Sequence, residues 1–360
     1  MHLSRRVLGV AVAGGAALLA PAAAGAAVTK TVYAGPPPVT NQIAGKILPN
    51  AQQFVKKYSP DINAFFNRRT TINVGDSVSF LLRGFHTVYI TANGGSDLPL
   101  ILPSGGLVSG NNDAAGTPFW FNGKVPNLGY DPAVIARTGG KVYNGSARVE
   151  SGIASPKPLK VKFSKAGTYK FFCDVHPGMI GFVVVKPKGK AIPSAKQDAA
   201  AQKAQATTAV KQAKKLLALK QPANTVSLGE STPAGVELFA MFPSTLTVHP
   251  GTTVTFRMSA KSREAHTATF GPVPYLKPLA KSFQGGPKIA AIGAYPSDPT
   301  QPITESTSSH GNGFANTGVL DTDPATAQIG PSSKIDFTTP GTYHYVCLIH
   351  PNMRGTIIVK

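Results

Sequence analysis

Acidic residues are scarce in this 360-residue chain: 16 aspartates and glutamates stand against 36 lysines and arginines, a formal balance of +20. Such a charge bears on partners and solubility, not on fold. Nucleic acid would be the obvious counter-charge, yet no RNP-like, zinc-finger or recognition-helix pattern occurs, so nucleic-acid binding is not expected. An anionic cell surface fits the balance better. Cysteine occurs only twice, which excludes a disulfide-dense scaffold and allows one bridge at most. Tryptophan occurs once, and no His-x-His pair is present. Charged residues are sparse overall, whereas glycine numbers 37 and proline 31. That composition disfavours long helices and favours many short strands and turns. The length suits two or more domains of ordinary size.

What is present is a motif written twice. Near the C-terminus the chain reads Gly341-Thr-Tyr-His-Tyr-Val-Cys347-Leu-Ile-His350-Pro-Asn-Met353-Arg-Gly355, and midway it reads Gly167-Thr-Tyr-Lys-Phe-Phe-Cys173-Asp-Val-His176-Pro-Gly-Met179-Ile-Gly181. The copies align without a gap, and each holds Cys-x-x-His-x-x-Met. A thiolate, an imidazole and a thioether form a soft donor set that selects copper over hard cations. A Cys and two His in a trigonal arrangement with a weak axial Met is a blue-copper electron-transfer site, so each copy requires one further His. Phe80-Leu-Leu-Arg-Gly-Phe-His86-Thr supplies it in the first half and the run from Phe256 to His266-Thr267 in the second. In both, a strand-like segment ends in a short loop that delivers a His followed by Thr.

On these residues the chain resembles a tandem of two cupredoxins, the plastocyanin- and azurin-like blue copper proteins. Its ligand loop, with two residues between His and Met and a Pro after the His, is most similar to that of amicyanin. The resemblance implies an all-β fold of two Greek-key sandwich or barrel domains and two type 1 copper ions cycling between Cu(I) and Cu(II). It assigns His86, Cys173, His176 and Met179 to one site and His266, Cys347, His350 and Met353 to the other. It also implies that the ring edges of His176 and His350 reach the surface and carry the electron, with Met179 and Met353 as axial ligands. Many family members have Asn after the first His; Thr87 and Thr267 stand here, which puts the strength of the backbone contact to the sulfur in question. The implied function is electron transfer with redox partner proteins, acidic at the docking face. Cell-surface copper binding or storage is the alternative. A copper oxidase or nitrite reductase is disfavoured by the absence of His-x-His, and by Asp174 and Leu348 where a His would follow each Cys.

The repeat also bears on the cysteines. On a strand, Tyr169, Phe171 and Cys173 share one face, as do Tyr343, Tyr345 and Cys347, so the two thiols are expected in separate cores rather than in a disulfide.

In chain order, residues 1–27 read as an export signal, with Arg5 and Arg6, an apolar run from Val7 to Leu19, and Ala24-Gly25-Ala26 as a cleavage site. Ser4-Arg5-Arg6-Val7-Leu8 partly matches a twin-arginine motif and leaves the route open. A periplasmic, cell-surface or extracellular location follows, as opposed to an uncleaved anchor, which Pro21 and the Ala-rich run disfavour. The first cupredoxin domain is placed at 28–188, with a short amphipathic helical insertion from Asn41 to about Ala64, and the second at 224–360. Between them, 189–223 is rich in Ala, Gln and Lys. Ser194 and Gln197 have capping-box spacing, and Ala199, Ala206, Val210, Ala213 and Leu217 form a weak stripe. A helical linker is expected there, docked lightly on one domain, its lysines solvated. Cys173 lies 87 residues after His86 and Cys347 lies 81 after His266, more than a minimal cupredoxin needs. The long loops 91–160 and 271–334 therefore read as functional lids or disordered segments. Trp120 is expected to pack, His310 to be a solvated loop residue, and His249 and His344 to be a turn residue and an outward strand residue.

Overall fold

A computed structural model describes residues 26–91, 95–138, 142–153, 157–285, 288–324 and 330–360; all but the last two residues of the leader read at 1–27 lie outside them. No helix among the described residues is long and apolar enough to cross a membrane.

Strand alternation builds the first half. Thr70 and Ile72 in Arg69–Asn73, Val78 and Phe80 in Ser77–Leu82, and Val183 and Val185 in Ile180–Lys186 all point inward. Two sheets of five strands result. One runs in the order 65–66, 29–34, 77–82, 159–163, 142–143, the other 149–150, 89–90, 167–172, 180–186, 69–73. Between them lies a core that includes Val78, Phe80, Val161, Phe163, Phe171 and Cys173. Each fully buried side chain of that size contributes about 1.5–3 kcal/mol. The second half repeats the plan, with sheets ordered 303–305, 332–337, 252–258, 225–231, 236–242, 61–62 and 245–248, 354–359, 341–346, 269–270, 315–316. Cys347 lies in its core with Phe256, Phe270, Phe337 and Tyr345. Both cysteines are free thiols in separate cores, as the strand faces predict.

One detail of the duplicated motif acquires a reason here. Gly181 faces Phe171 across the ladder and Gly355 faces Tyr345. A Cβ on either glycine would stand 2.2 Å from the opposing ring. Space, not backbone freedom, requires these two glycines.

The halves are more entangled than the linear reading expects. Asp61–Ile62, from the first half, pairs antiparallel with Glu237 and Val236 and forms the edge of the second half's sheet. Helices Val39–Ile47 and Ala51–Tyr58 fill the insertion. Helix Ala195–Leu216 begins with the expected capping box of Ser194 and Gln197, but its docking is not light. Ala206, Ala209, Val210, Ala213 and Leu216 are buried in a cluster with Ile43, Phe54 and Phe66 of the first half and Val236 and Leu238 of the second. Ala199 and Leu217, expected on the stripe, are exposed. Small side chains let the helix approach both neighbours closely, so a weakly hydrophobic stripe makes a tight seam.

The long loops pack on each other. A hairpin of Ile101–Leu107 and Pro126–Tyr130 brings Val108, Phe119, Phe121 and Leu128 against Leu276, Leu279, Phe283, Tyr295 and Phe314. Trp120 packs at the margin of this cluster and donates its indole N–H to the Pro296 carbonyl at 2.9 Å.

Two candidate metal centres

Each centre starts from the strand that carries the cysteine. Strand Gly167–Phe172 ends one residue before Cys173, whose amide donates to the Met179 carbonyl at 3.1 Å, while the Met179 amide donates to the His176 carbonyl at 3.0 Å. These bonds curl the seven-residue motif into a closed loop. In the second half the Cys347 amide donates to Met353 O at 3.0 Å and the Met353 amide to His350 O at 2.9 Å. Met179 and Met353 are both buried in the cluster that holds their cysteine.

The loops bring the expected residues together. His86 Nδ1 lies 3.0 Å from His176 Nδ1, and Cys173 Sγ lies 3.3 Å from His176 Nδ1 and 3.9 Å from His86 Nδ1. In the second centre, His266 Nδ1 and His350 Nδ1 are 3.1 Å apart, and Cys347 Sγ lies 3.7 and 3.9 Å from them. Two imidazole nitrogens and a sulfur converge on one point in each. The edges of these triangles suit one transition-metal ion held at bond lengths of about 2.0–2.3 Å. Gly35 and Gly229, both with positive φ, back the two buried imidazoles: a Cβ there would stand 2.8 Å from His86 Nε2 and 3.1 Å from His266 Nε2.

The threonines after the first histidines keep the contact to sulfur. The Thr87 amide donates to Cys173 Sγ at 3.3 Å and the Thr267 amide to Cys347 Sγ at 3.4 Å. Each hydroxyl accepts the amide of the residue after the cysteine, Asp174 or Leu348, at 2.9 Å. Thr thus pins the histidine loop to the cysteine loop.

Burial opposes ionisation of Cys173, but the His176 and His86 imidazoles outweigh it and hold the thiol well below its usual range. Cys347 is lowered too, burial being overcome by His266, the Thr267 amide and the His350 amide. The anionic form favoured here is the form that binds a metal. The flanks differ. Beside Cys173, burial pushes up both members of a carboxyl pair, Asp174 and Glu150, whereas the matching place after Cys347 holds the fully buried Leu348 under the packed loops.

One of the two outer histidines is not where the resemblance places it. His176 is buried, and its Nε2 lies 2.9 Å from Glu264 Oε1; His350 Nε2 lies 3.5 Å from Glu264 Oε2. The two centres therefore face each other across one carboxylate, and only His350, its side chain a quarter exposed, keeps an edge to solvent. Strand pairing at 61–62 causes this, because it carries Asn63 beside the second half, where its amide donates to Glu264 Oε1 at 2.6 Å. Burial would raise the Glu264 carboxyl, but the three facing imidazoles, His176 above all, bring it to about 2. Burial lowers His176 as well, but Glu264 and the Cys173 thiolate more than compensate and raise it. At His350, burial prevails over the more distant Glu264 and the imidazole is lowered. The sequence places Glu264 at the mouth of the second centre, in Arg263-Glu264-Ala265 just before His266, where it is expected to set solvent access and hydrogen bonding, but does not show that it also faces the first centre.

The other described histidines are not part of either cluster. His249 and His344 are exposed, as expected. His310 is only partly solvated: it is wedged between Asp113 and Asp298 at 3.4 Å each, with its ring near Phe119 and Phe314. It closes the contact between the two long loops.

No family model matches the chain, and no curated protein does. Among solved structures it is similar to the oxidized form of plastocyanin from Dryopteris crassirhizoma, at 23% identity over 38% of this chain and 99% of that one, TM-score 0.22. It is similar also to a purple cupredoxin from Nitrosopumilus maritimus, at 19% identity over 39% and 100%, TM-score 0.21, and to auracyanin B, at 19% identity over 39% and 92%, TM-score 0.25. The strand order and the duplicated clusters stand independently of these likenesses. Two β-sandwiches, one of two five-stranded sheets and one of a six- and a five-stranded sheet, each hold one His-Cys-His cluster.

Proposed function

We propose that each centre binds one copper ion as a type 1 site, through His86, Cys173, His176 and Met179 in the first half and His266, Cys347, His350 and Met353 in the second, and that the protein carries electrons. The observation that carries this is the duplicated convergence of two Nδ1 atoms and one sulfur, each sulfur also receiving a backbone N–H. Bound copper would supply a one-electron couple. The chain supplies a largely buried, pre-formed donor set: the thiolate sits on a ladder-bound strand end, the imidazoles are fixed by their neighbours, and the Thr hydroxyls lock the two loops together. A donor set held this firmly changes little between oxidation states, which favours transfer over storage. The leader-like N-terminus supports export, and the basic surface supports an acidic redox partner or an anionic cell surface as the docking target.

The test is copper loading followed by visible absorption. Two coppers per chain and an intense thiolate band near the red end are expected, with Cys173→Ser and Cys347→Ser each removing about half of it. A copper-loaded protein without that band would refute the type 1 assignment.

A further inference from the structure

Helix Ala195–Leu216 has a second face, which neither centre uses. At about 100° per residue, the buried Ala206, Ala209, Val210, Ala213 and Leu216 share one side. Lys196, Lys203, Lys211, Lys214 and Lys215 span about a third of the circumference on the side turned away from it, and all five are exposed. The row they form is ~28 Å long at the helical rise. Because the buried side is held between the two halves, the row is a fixed array of charge and not a lightly docked spacer.

The charge of this face is unpaired. Between Asp174 and Glu230 the sequence holds one acid, Asp198, and Lys30 takes it at 2.7 Å. Among the described residues no carboxylate forms an ion pair with any of the five lysines. The face is also lysine alone, for no Arg occurs between Arg148 and Arg257. Arginine's planar fork suits a partner of fixed geometry, whereas lysine is a point charge on a flexible stem. A convex row of such charges matches a layer of laterally mobile anions better than a shaped protein site. Where the helix ends, Leu217 and Leu219 are 39% and 53% exposed, next in the chain to Lys214, Lys215 and Lys220. Aliphatic side chains among lysines are what an interfacial segment sets into the boundary between headgroups and acyl chains.

We propose that this helix face docks the protein on an anionic lipid bilayer, with the five lysines over phosphate headgroups and Leu217 and Leu219 at the acyl boundary. The proposal deepens, and rests on, the reading of an anionic surface as the docking target. Clusters of four to eight basic residues on a helix are recognised by such bilayers, each side chain strengthening binding about fivefold.

The experiment sediments the full-length protein with phosphatidylcholine vesicles, with and without phosphatidylglycerol. Whatever the segment 1–27 adds is common to every variant. The triple variant Lys203→Gln, Lys211→Gln, Lys214→Gln should lose roughly 100-fold in affinity for the anionic vesicles. A variant of equal charge, Lys277→Gln, Lys281→Gln, Lys288→Gln, removes three exposed lysines from the long loop of the second half and should lose less than about fivefold. Added salt should weaken the parent's binding. Anionic vesicles should also shield the five helix lysines from acetylation, read by mass spectrometry, and leave those of the loop reactive. Equal losses in the two triple variants, or helix lysines acetylated as fast with vesicles as without, would overturn the assignment of this face and leave the anionic-surface reading standing. Poly-glutamate bound as tightly as the vesicles would give the face to an acidic protein partner and overturn the lipid assignment. A parent that does not prefer anionic to neutral vesicles would refute the anionic-surface reading itself.

Discussion

The pairing of Gly181 with Phe171 lends itself to a quantitative test. The ring of Phe171 lies over Gly181, with Cζ 2.2 Å and Cε2 2.4 Å from the place a Cβ would occupy. It cannot retreat, because Phe65 and Phe80 hold it edge-on at centroid distances of 4.6 and 5.0 Å. Gly181→Ala should therefore cost about 1–3 kcal/mol by overpacking, or more. In a Phe171→Leu background the obstructing ring is gone. There the same substitution should stabilise by about 0.4–1 kcal/mol, because alanine loses less conformational freedom on folding. The expected coupling is the difference between these, about 1.5–4 kcal/mol, and equilibrium urea unfolding of the parent, both single variants and the double variant measures it. Because Phe171 and Cys173 share a strand face, Gly181→Ala should also shift the absorption of the first centre only. If Gly181→Ala costs the same in both backgrounds to within about 0.5 kcal/mol, the steric account of this glycine is wrong.

Two further expectations follow from contacts around the loops. Thr87→Val keeps the backbone N–H to Cys173 but orphans the buried Asp174 amide, so it should cost about 1–3 kcal/mol in urea unfolding, whereas Thr87→Ser, which retains the hydroxyl, should cost less; equal losses would mean the hydroxyl is not the pin. His310 is raised from its ordinary value, first by its hydrogen bond to Asp298 and then, against burial, by Asp113. A raised folded value means that its stabilisation is fully present below the unfolded value of about 6.5 and is lost as pH rises through the folded one. Hydrogen exchange at the Ala114 amide, which donates to the His310 carbonyl, should accordingly quicken above neutrality beyond the intrinsic pH effect, and His310→Gln should abolish that extra dependence.

The local content of both centres was readable from residue order alone. Cys-x-x-His-x-x-Met fits inside one strand end and one turn, so its donors must lie close whatever the rest of the chain does. The strand alternation that buries Phe171 and Cys173 is a period-2 property visible in any such run, and the capping box at Ser194 is likewise a three-residue matter. Even the pairing of His86 and His266 with their cysteines could be inferred, because the repeat offered one His–Thr per half.

Only the tertiary structure decided what the two halves do to each other. Asp61–Ile62 joins the second half's sheet because an edge strand accepts any partner whose backbone can reach it, and backbone hydrogen bonding leaves no mark on side-chain order. Ala206, Ala209 and Ala213 look like ordinary helix formers, and their value as a close seam exists only once two neighbours are in place. The same holds for Glu264. A lone acid near a histidine is unremarkable in one dimension, and comes to stand between the two candidate centres because the packing of the halves brings His176 Nε2 and His350 Nε2 to 2.9 and 3.5 Å from its two oxygens.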